Sequence, residues 1–202
     1  VHLVIAGSGD MAEAIAINAA MVAHYPNYCR DHRLRTRITV IDERAFWLRD
    51  NMLRKYKNLF DNSYYRSLNL DVPSPRCILH KPFYSSSRED FVDVEWEFVN
   101  AYISHEAVRQ KLTEWATSPL KQLTLALCHD DNEINVALSL SLPDEVYANG
   151  VTVLCHTRRS EILTLAKNDS RYSNLFPFGE EICDISTMKT LLSLAKRVNY
   201  VY

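Results

Sequence analysis

The opening stretch, Val1 to Ala16, constrains the chain more than any other. The apolar run Leu3-Val4-Ile5-Ala6 meets Gly7 and Gly9, and Ala12 then opens a helical pattern, with the spacing G-x-G-x-x-A. That is a strand, a tight turn and a helix start. The first glycine permits the sharp turn, the second lets a phosphate approach the backbone, and a small third residue lets helix and strand pack closely. Unpaired N–H groups and the positive end of the helix dipole then face the ligand. Gly7, Ser8, Gly9, Asp10 and Met11 are therefore the first candidate binding residues. The same residues also make a plain strand–helix joint that holds nothing.

A chain of 202 residues, 47% hydrophobic and 24% charged, suits one globular domain with a full core. The net charge of −2 comes without blocks of like charge, which argues against a nucleic-acid or anionic-membrane surface. Five dispersed cysteines, with no Cys-x-x-Cys, fit a reducing cytosol, and Cys128 and Cys155 each end an apolar run as small core residues do. No apolar run approaches the roughly 20 residues that span a bilayer, and no leader precedes the first strand. The chain starts on Val inside a strand, so the expectation is a piece of a longer polypeptide, whose remainder could include a membrane segment.

Along the chain, a first helix is expected from Met11 to Ala23, with Ala12, Ile15, Ala16, Ala19, Ala20 and Val22 buried. A polar, basic connection (Tyr25 to Arg37) leads to the strand Ile38–Ile41, which ends in Asp42. An acidic residue there accepts hydrogen bonds from ribose hydroxyls, although the offset from the glycines is longer than the usual twenty or so residues. Asp42 favours adenosine or NAD over a 2′-phosphorylated NADP, with Arg44 leaving an opening for the latter; a helix cap is the other role open to Asp42. A helix over Arg44–Leu59 follows, with Phe46, Trp47, Met52, Leu53 and Tyr56 as core candidates. Residues 62–90, with Pro73, Pro75, Pro82 and Ser85 to Ser87, read as an irregular insertion carrying at most a short strand at Cys77–His80.

Regular structure resumes with the strand Val94–Val99, ending in Asn100, and a helix His105–Trp115 capped by Ser104. The buried run Leu123–Cys128 ends in His129-Asp130-Asp131-Asn132 and passes into a helix. A helical turn at Asp144–Asn149 closes on Gly150 as a left-handed cap. The strand Val151–Cys155 ends in His156-Thr157-Arg158; a helix over Ser160–Ala166, a strand at Asn174–Phe176 stopped by Pro177, and a final helix over Ser186–Val198 complete the pattern. Strands alternating with helices predict an α/β fold: a doubly wound, Rossmann-like parallel sheet of about six strands, helices on both faces, in a single domain. Ligands of such sheets lie beyond the carboxyl ends of the strands at the switch point. That rule selects Gly7 to Met11, Asp42, Asn100, His129 to Asp131 and His156 to Arg158.

The G-x-G-x-x-A strand, the Val40-Ile41-Asp42 strand end and the run Leu125-Ala126-Leu127-Cys128-His129-Asp130-Asp131-Asn132-Glu133-Ile134-Asn135 together resemble the RCK/KTN (TrkA-N) domains. These are nucleotide-binding regulatory modules of potassium channels and transporters. The likeness spans about Val1 to Phe178, apart from residues 25–37 and 62–90. Leu142 to Gly150 also resembles the TrkA-N modules of bacterial proteins that carry a ryanodine-receptor-type repeat. The resemblance implies NAD or NADH, alternatively AMP, ADP or ATP, with Gly7 to Met11 at the phosphates, Asp42 at the ribose, His129 and Asp130 at the far end of the ligand and Asn135 fixing the loop. It further implies a cytoplasmic homodimer coupled to an effector domain or a membrane transport protein. Asp10 departs from the family pattern: a carboxylate there repels a pyrophosphate, and Arg158 or Lys81 is the candidate compensating charge. The second, ligand-binding lobe of full family members is missing from this chain.

Two other classes compete. An NAD-dependent oxidoreductase shares the cradle, but none of the eleven tyrosines has Lys four positions on, the pairing a short-chain dehydrogenase uses. His129 beside Asp130 more often caps a helix than transfers protons, and His129, Asp130, Asp131 and His156 lack metal-ligand spacing. A Rossmann-like interaction module with an empty cleft is the other. The expectation is a non-catalytic nucleotide sensor, with no catalytic residue and no metal.

Overall fold

The strand His2–Ala6 (β1) forms the middle of the sheet, bonded in parallel to Thr36–Asp42 (β2) on one side and Leu123–Leu127 (β6) on the other. The computed structural model describes residues 1–70, 72, 76–82, 93–120, 122–158, 163, 166 and 168–179. From β2 the sheet grows through Val94–Asn100 (β5), Tyr64–Asn69 (β3) and Cys77–His80 (β4); from β6 it grows through Thr152–His156 (β7) and Leu175–Phe178 (β8). The order is β4-β3-β5-β2-β1-β6-β7-β8, and every pairing is parallel except β3 with β4. The chain builds one half outward from β1 and then returns to β6, so the switch point lies between β1 and β6.

Helices cover both faces. Asp10–Val22 (α1), Ala45–Lys55 (α2) and Lys57–Asp61 (α3) pack on the face that carries Ile5, Ile38, Val40, Trp96 and Phe98. The opposite face, with Val4, Ile41, Val99 and Leu125, receives Glu106–Thr117 (α4), Asn132–Ser141 (α5) and Asp144–Ala148 (α6). Small residues bring α1 onto the sheet: Ala12, Ala16 and Ala20 are fully buried. Phe60 packs 4.9 Å from the Trp96 ring, and large side chains buried in this way contribute roughly 1.5–3 kcal/mol each.

The expected α/β architecture is present, with eight strands among the described residues in place of six. The extra pair comes from the supposed irregular insertion. Tyr64–Asn69 adds a parallel strand beside β5, and the expected strand at Cys77–His80 returns antiparallel as the sheet edge. Three further corrections follow from local physics. The second helix breaks at Tyr56, where φ −121° and ψ 43° leave the helical region. Helix α4 is capped by His105, whose Nδ1 accepts the Ala107 N–H, rather than by Ser104. Pro177 lies inside β8 opposite Cys155, because an edge strand tolerates a missing N–H. Val22 and Trp47, expected in the core, are exposed, while Glu13 is buried against Lys55 and Tyr56. Gly150 does adopt the left-handed conformation, at φ 69°. Most of the expected helix over 160–166 and all of that over 186–198 lie outside the described residues. No described helix is long and apolar enough to cross a membrane.

Candidate functional site

The two glycines of the opening turn differ in what they answer to. Gly7 has φ 129°, and a Cβ there would stand 2.4 Å from the Cys128 carbonyl oxygen. Its N–H donates to the Ile41 carbonyl (3.0 Å), and the Cys128 N–H donates to Ala6 (2.7 Å). Gly7 is thus demanded by the seam between β1 and β6 and by its own backbone angle. Gly9 is extended, with φ −79°, so its conformation suits any residue. What fills the space of its missing side chain is the Asp130 carboxylate, whose Oδ1 would lie 2.1 Å from a Cβ at Gly9.

Helix α1 begins immediately after Gly9 and has no side-chain cap. Its first amides are the kind of unpaired donors that attract an anion. Beside Gly9 stands the chain's own Asp130 carboxylate, whose side chain is 74% exposed and approaches Arg44 Nη2 at 3.7 Å. Asp10, which the sequence places under suspicion, is the first residue of α1 and exposed; the carboxylate beside Gly9 belongs to Asp130.

Asp42 lies at the expected strand end, buried, and its carboxylate is already engaged. Ser8 Oγ donates to Oδ1 at 2.9 Å and the Arg44 N–H donates to the same oxygen at 2.8 Å. Oδ2 faces His129 Nδ1 at 3.6 Å. Asp42 does not cap α2, whose N-cap position is Arg44 with no side-chain bond; it orders the turn before that helix through the Arg44 amide and anchors the glycine loop through Ser8. Burial holds His129 below the ordinary imidazole pKa of 6.5, outweighing the nearby Asp42 and Asp130 carboxylates.

Asn135, fully buried, fixes the loop as expected. Its Oδ1 accepts the His129 N–H (2.8 Å), and its Nδ2 donates to the carbonyls of His129 (2.8 Å) and His156 (3.0 Å). Asp131 caps α5 by accepting the Glu133 N–H at 2.8 Å. Among the described residues, four buried side-chain polar atoms lack a protein partner, and three sit at this edge: His129 Nε2, Asn132 Oδ1 and His156 Nδ1. An unsatisfied buried group costs about 1–3 kcal/mol, so these atoms favour whatever polar ligand reaches them.

Gly7, Ser8, Gly9, Asp42, His129 and Asp130 therefore converge, with Asp10 and Met11 exposed on the first turn of α1 beside them. Arg158 is exposed and shares with Asp130, Asp131, Asn132 and Thr157 an adjoining cleft of about 720 Å³, which places it on the same edge. Asn100 stands one strand over, in register with Asp42. Lys81 is elsewhere, beside Tyr65 and His80 near the β4 edge. Arg44 sits between Asp42 (3.9 Å) and Asp130 (3.7 Å). Its place beside Asp42 was readable from the sequence; its reach to Asp130 was not, since the contact joins loops far apart in the chain.

Cys128 and Cys155 are buried thiols, their pKa values pushed up by burial to about 12 and about 11, and act as small apolar residues. Among the described residues no three His, Cys, Asp or Glu side chains group as a metal site would require. Comparison of the chain with protein-family models, with curated proteins and with solved structures finds no match.

Proposed function

We propose that this chain is a non-catalytic nucleotide-binding regulatory module that takes NAD, NADH or an adenine nucleotide at the carboxyl edge between β1 and β6. The observation that carries the reading is Gly9. Neither φ/ψ nor packing requires a glycine there, yet its side-chain space opens onto an uncapped helix N-terminus and is filled only by an exposed carboxylate. A phosphate takes that position when Asp130 turns away, with the α1 amides as donors and Arg44 and Arg158 as counter-charges. Asp42 and Asn100 face the ribose side, while His129 and His156 offer unpartnered nitrogens to the remainder of the ligand.

Displacing Asp130 gives the site its output. The residue lies between His129, pinned by Asn135, and Asp131, which caps α5. A ligand that moves this loop biases the position of α5 and β7, and a homodimer or a linked channel, transporter or other domain follows by population shift. A ligand that fits both arrangements equally switches nothing.

The test is calorimetry and thermal shift with NAD, NADH, AMP, ADP and ATP. Saturable binding that Gly9→Asp and Asp42→Ala abolish, with folding intact, supports the module. Failure of every nucleotide at millimolar concentration favours the interaction module, for which the already engaged Asp42 carboxylate speaks. Turnover of NADH with small carbonyl compounds would instead make the chain an oxidoreductase.

A further inference from the structure

The two strands that extend the sheet past β5 build a cavity of their own. Strands β3 and β4 pair so that Tyr65 stands directly opposite His80, and the two rings stack 4.2 Å apart, within 6° of parallel. Helices α2 and α3 close over this end of β3. Phe60, buried, meets the Tyr65 ring edge to face at 6.0 Å, and Leu53 comes from the last turn of α2. The space left among these side chains is about 410 Å³, the size of a small-molecule site, with Leu79 and Lys81 on its β4 side.

The walls are flat and apolar, and Leu79, 48% exposed, gains burial when an apolar body enters. The charges nearly all have partners. Asp61 is the one carboxylate of the lining among the described residues, and it pairs with Lys57, one helical turn before it. Asp50 and Arg49, the next charges toward Tyr65, pair with each other at 2.8 Å. Arg66, adjacent to Tyr65 on β3, reaches Glu95 on the other face of the sheet. Lys81 differs: among the described residues no carboxylate lies within ion-pair reach of its ammonium. One ammonium matches the single negative charge of a carboxylate at neutral pH. A phosphate monoester, at about −1.5 to −2, calls for more donors than one lysine brings.

We propose that this cavity binds a small aromatic carboxylate, with its ring against Phe60, Tyr65 and Leu79 and its carboxylate on Lys81 Nζ. The site lies at the start of β3, away from the carboxyl ends of the strands, and is independent of the nucleotide reading. Trp96, in register with Tyr65 and 4.9 Å from the Phe60 ring, stands behind the wall as a reporter.

Benzoate, benzamide, acetate and phenyl phosphate are the probes, titrated into the chain by calorimetry and followed by NMR. The expected result is saturable binding of benzoate, weaker binding of benzamide and phenyl phosphate and none of acetate, with shifts at residues 79–81 and at the Trp96 indole. Lys81→Gln weakens benzoate about fivefold, as an exposed ion pair should, and leaves benzamide unchanged. Leu79→Ser weakens both, with the fold of each variant retained by circular dichroism. Absence of benzoate binding at millimolar concentration, benzamide bound as tightly as benzoate, or unchanged benzoate affinity in Lys81→Gln would overturn the proposal. So would shifts confined to residues 7–11 and 129–131, or tighter binding of phenyl phosphate than of benzoate.

Discussion

The two edges of this sheet divide backbone geometry and charge in opposite ways. The carboxyl edge has the backbone for it: a glycine turn, an uncapped helix and the switch point of the strand order. Its side chains, however, are acidic, with Asp10, Asp42 and Asp130 around the turn and Arg44 between two of them. The amino edge has no motif, yet it gathers the guanidiniums of Arg33, Arg35, Arg37 and Arg66 around one cavity. A glycine motif therefore specifies a path for the backbone, and the charge that meets a ligand is set separately by residues distant in sequence. At the carboxyl edge any incoming phosphate competes with a carboxylate already in place. That competition suits a sensor, because affinity then includes the work of moving a loop.

The glycines offer the sharpest way to break this comparison. Gly7→Ala is expected to destabilise the fold by about 3 kcal/mol or more, since it combines a positive φ with a clash against the Cys128 backbone. Gly9→Ala should cost less than about 1 kcal/mol, because the obstructing Asp130 carboxylate can turn into solvent. Urea denaturation of the two variants separates them; equal losses would make Gly9 a packing residue and remove its functional meaning.

At the amino edge, Glu95→Gln should destabilise the chain by about 2 kcal/mol, less than for a fully buried pair because Arg37 and Arg66 keep partial solvent contact. A neutral result would show that Glu95 does not organise the cluster. Ser8→Ala should cost about 1 kcal/mol by removing the hydroxyl from Asp42 Oδ1, read by the same denaturation curves. If stability is unchanged, the glycine loop is not anchored through that contact.

The smallest effect concerns pH. Burial lowers the His129 pKa below its unfolded value of 6.5, so the folded state binds fewer protons between those two values. Stability from the neutral imidazole is complete above about pH 6.5 and is lost as pH falls from there toward the folded pKa. Thermal melts of the native chain should therefore fall more steeply on acidification than those of His129→Gln. Parallel slopes would mean that His129 is solvated.

The carboxyl edge was readable in the sequence and the amino edge was not, for reasons that lie in particular residues. Gly7, Asp42 and His129 each end a strand of apolar residues, and the strand-end rule collects such positions without knowledge of contacts. The same rule cannot place a side chain. The motif points to Asp10, whereas the carboxylate at Gly9 is Asp130, which the β1–β6 pairing brings there. Strand β3 leaves no strand signal in the sequence, because Tyr64-Tyr65-Arg66-Ser67-Leu68-Asn69 lacks an apolar run. On β5, Glu95 and Glu97 alternate with Trp96 and Phe98, and both glutamates are buried, matched by Arg37, Arg66 and Thr39 across the strands. The basic cavity depends on that cross-strand register, which composition does not reveal.

In the proposed function a nucleotide displaces the Asp130 carboxylate from Gly9. Calorimetric titration of the chain and of Asp130→Asn with NADH and ADP tests it most directly. Saturable binding of at least one of the two to the native chain is expected, strengthened about tenfold in Asp130→Asn by removal of the resident negative charge. Binding that is unchanged or weakened in the variant, or absent from both proteins at millimolar concentration, would contradict it.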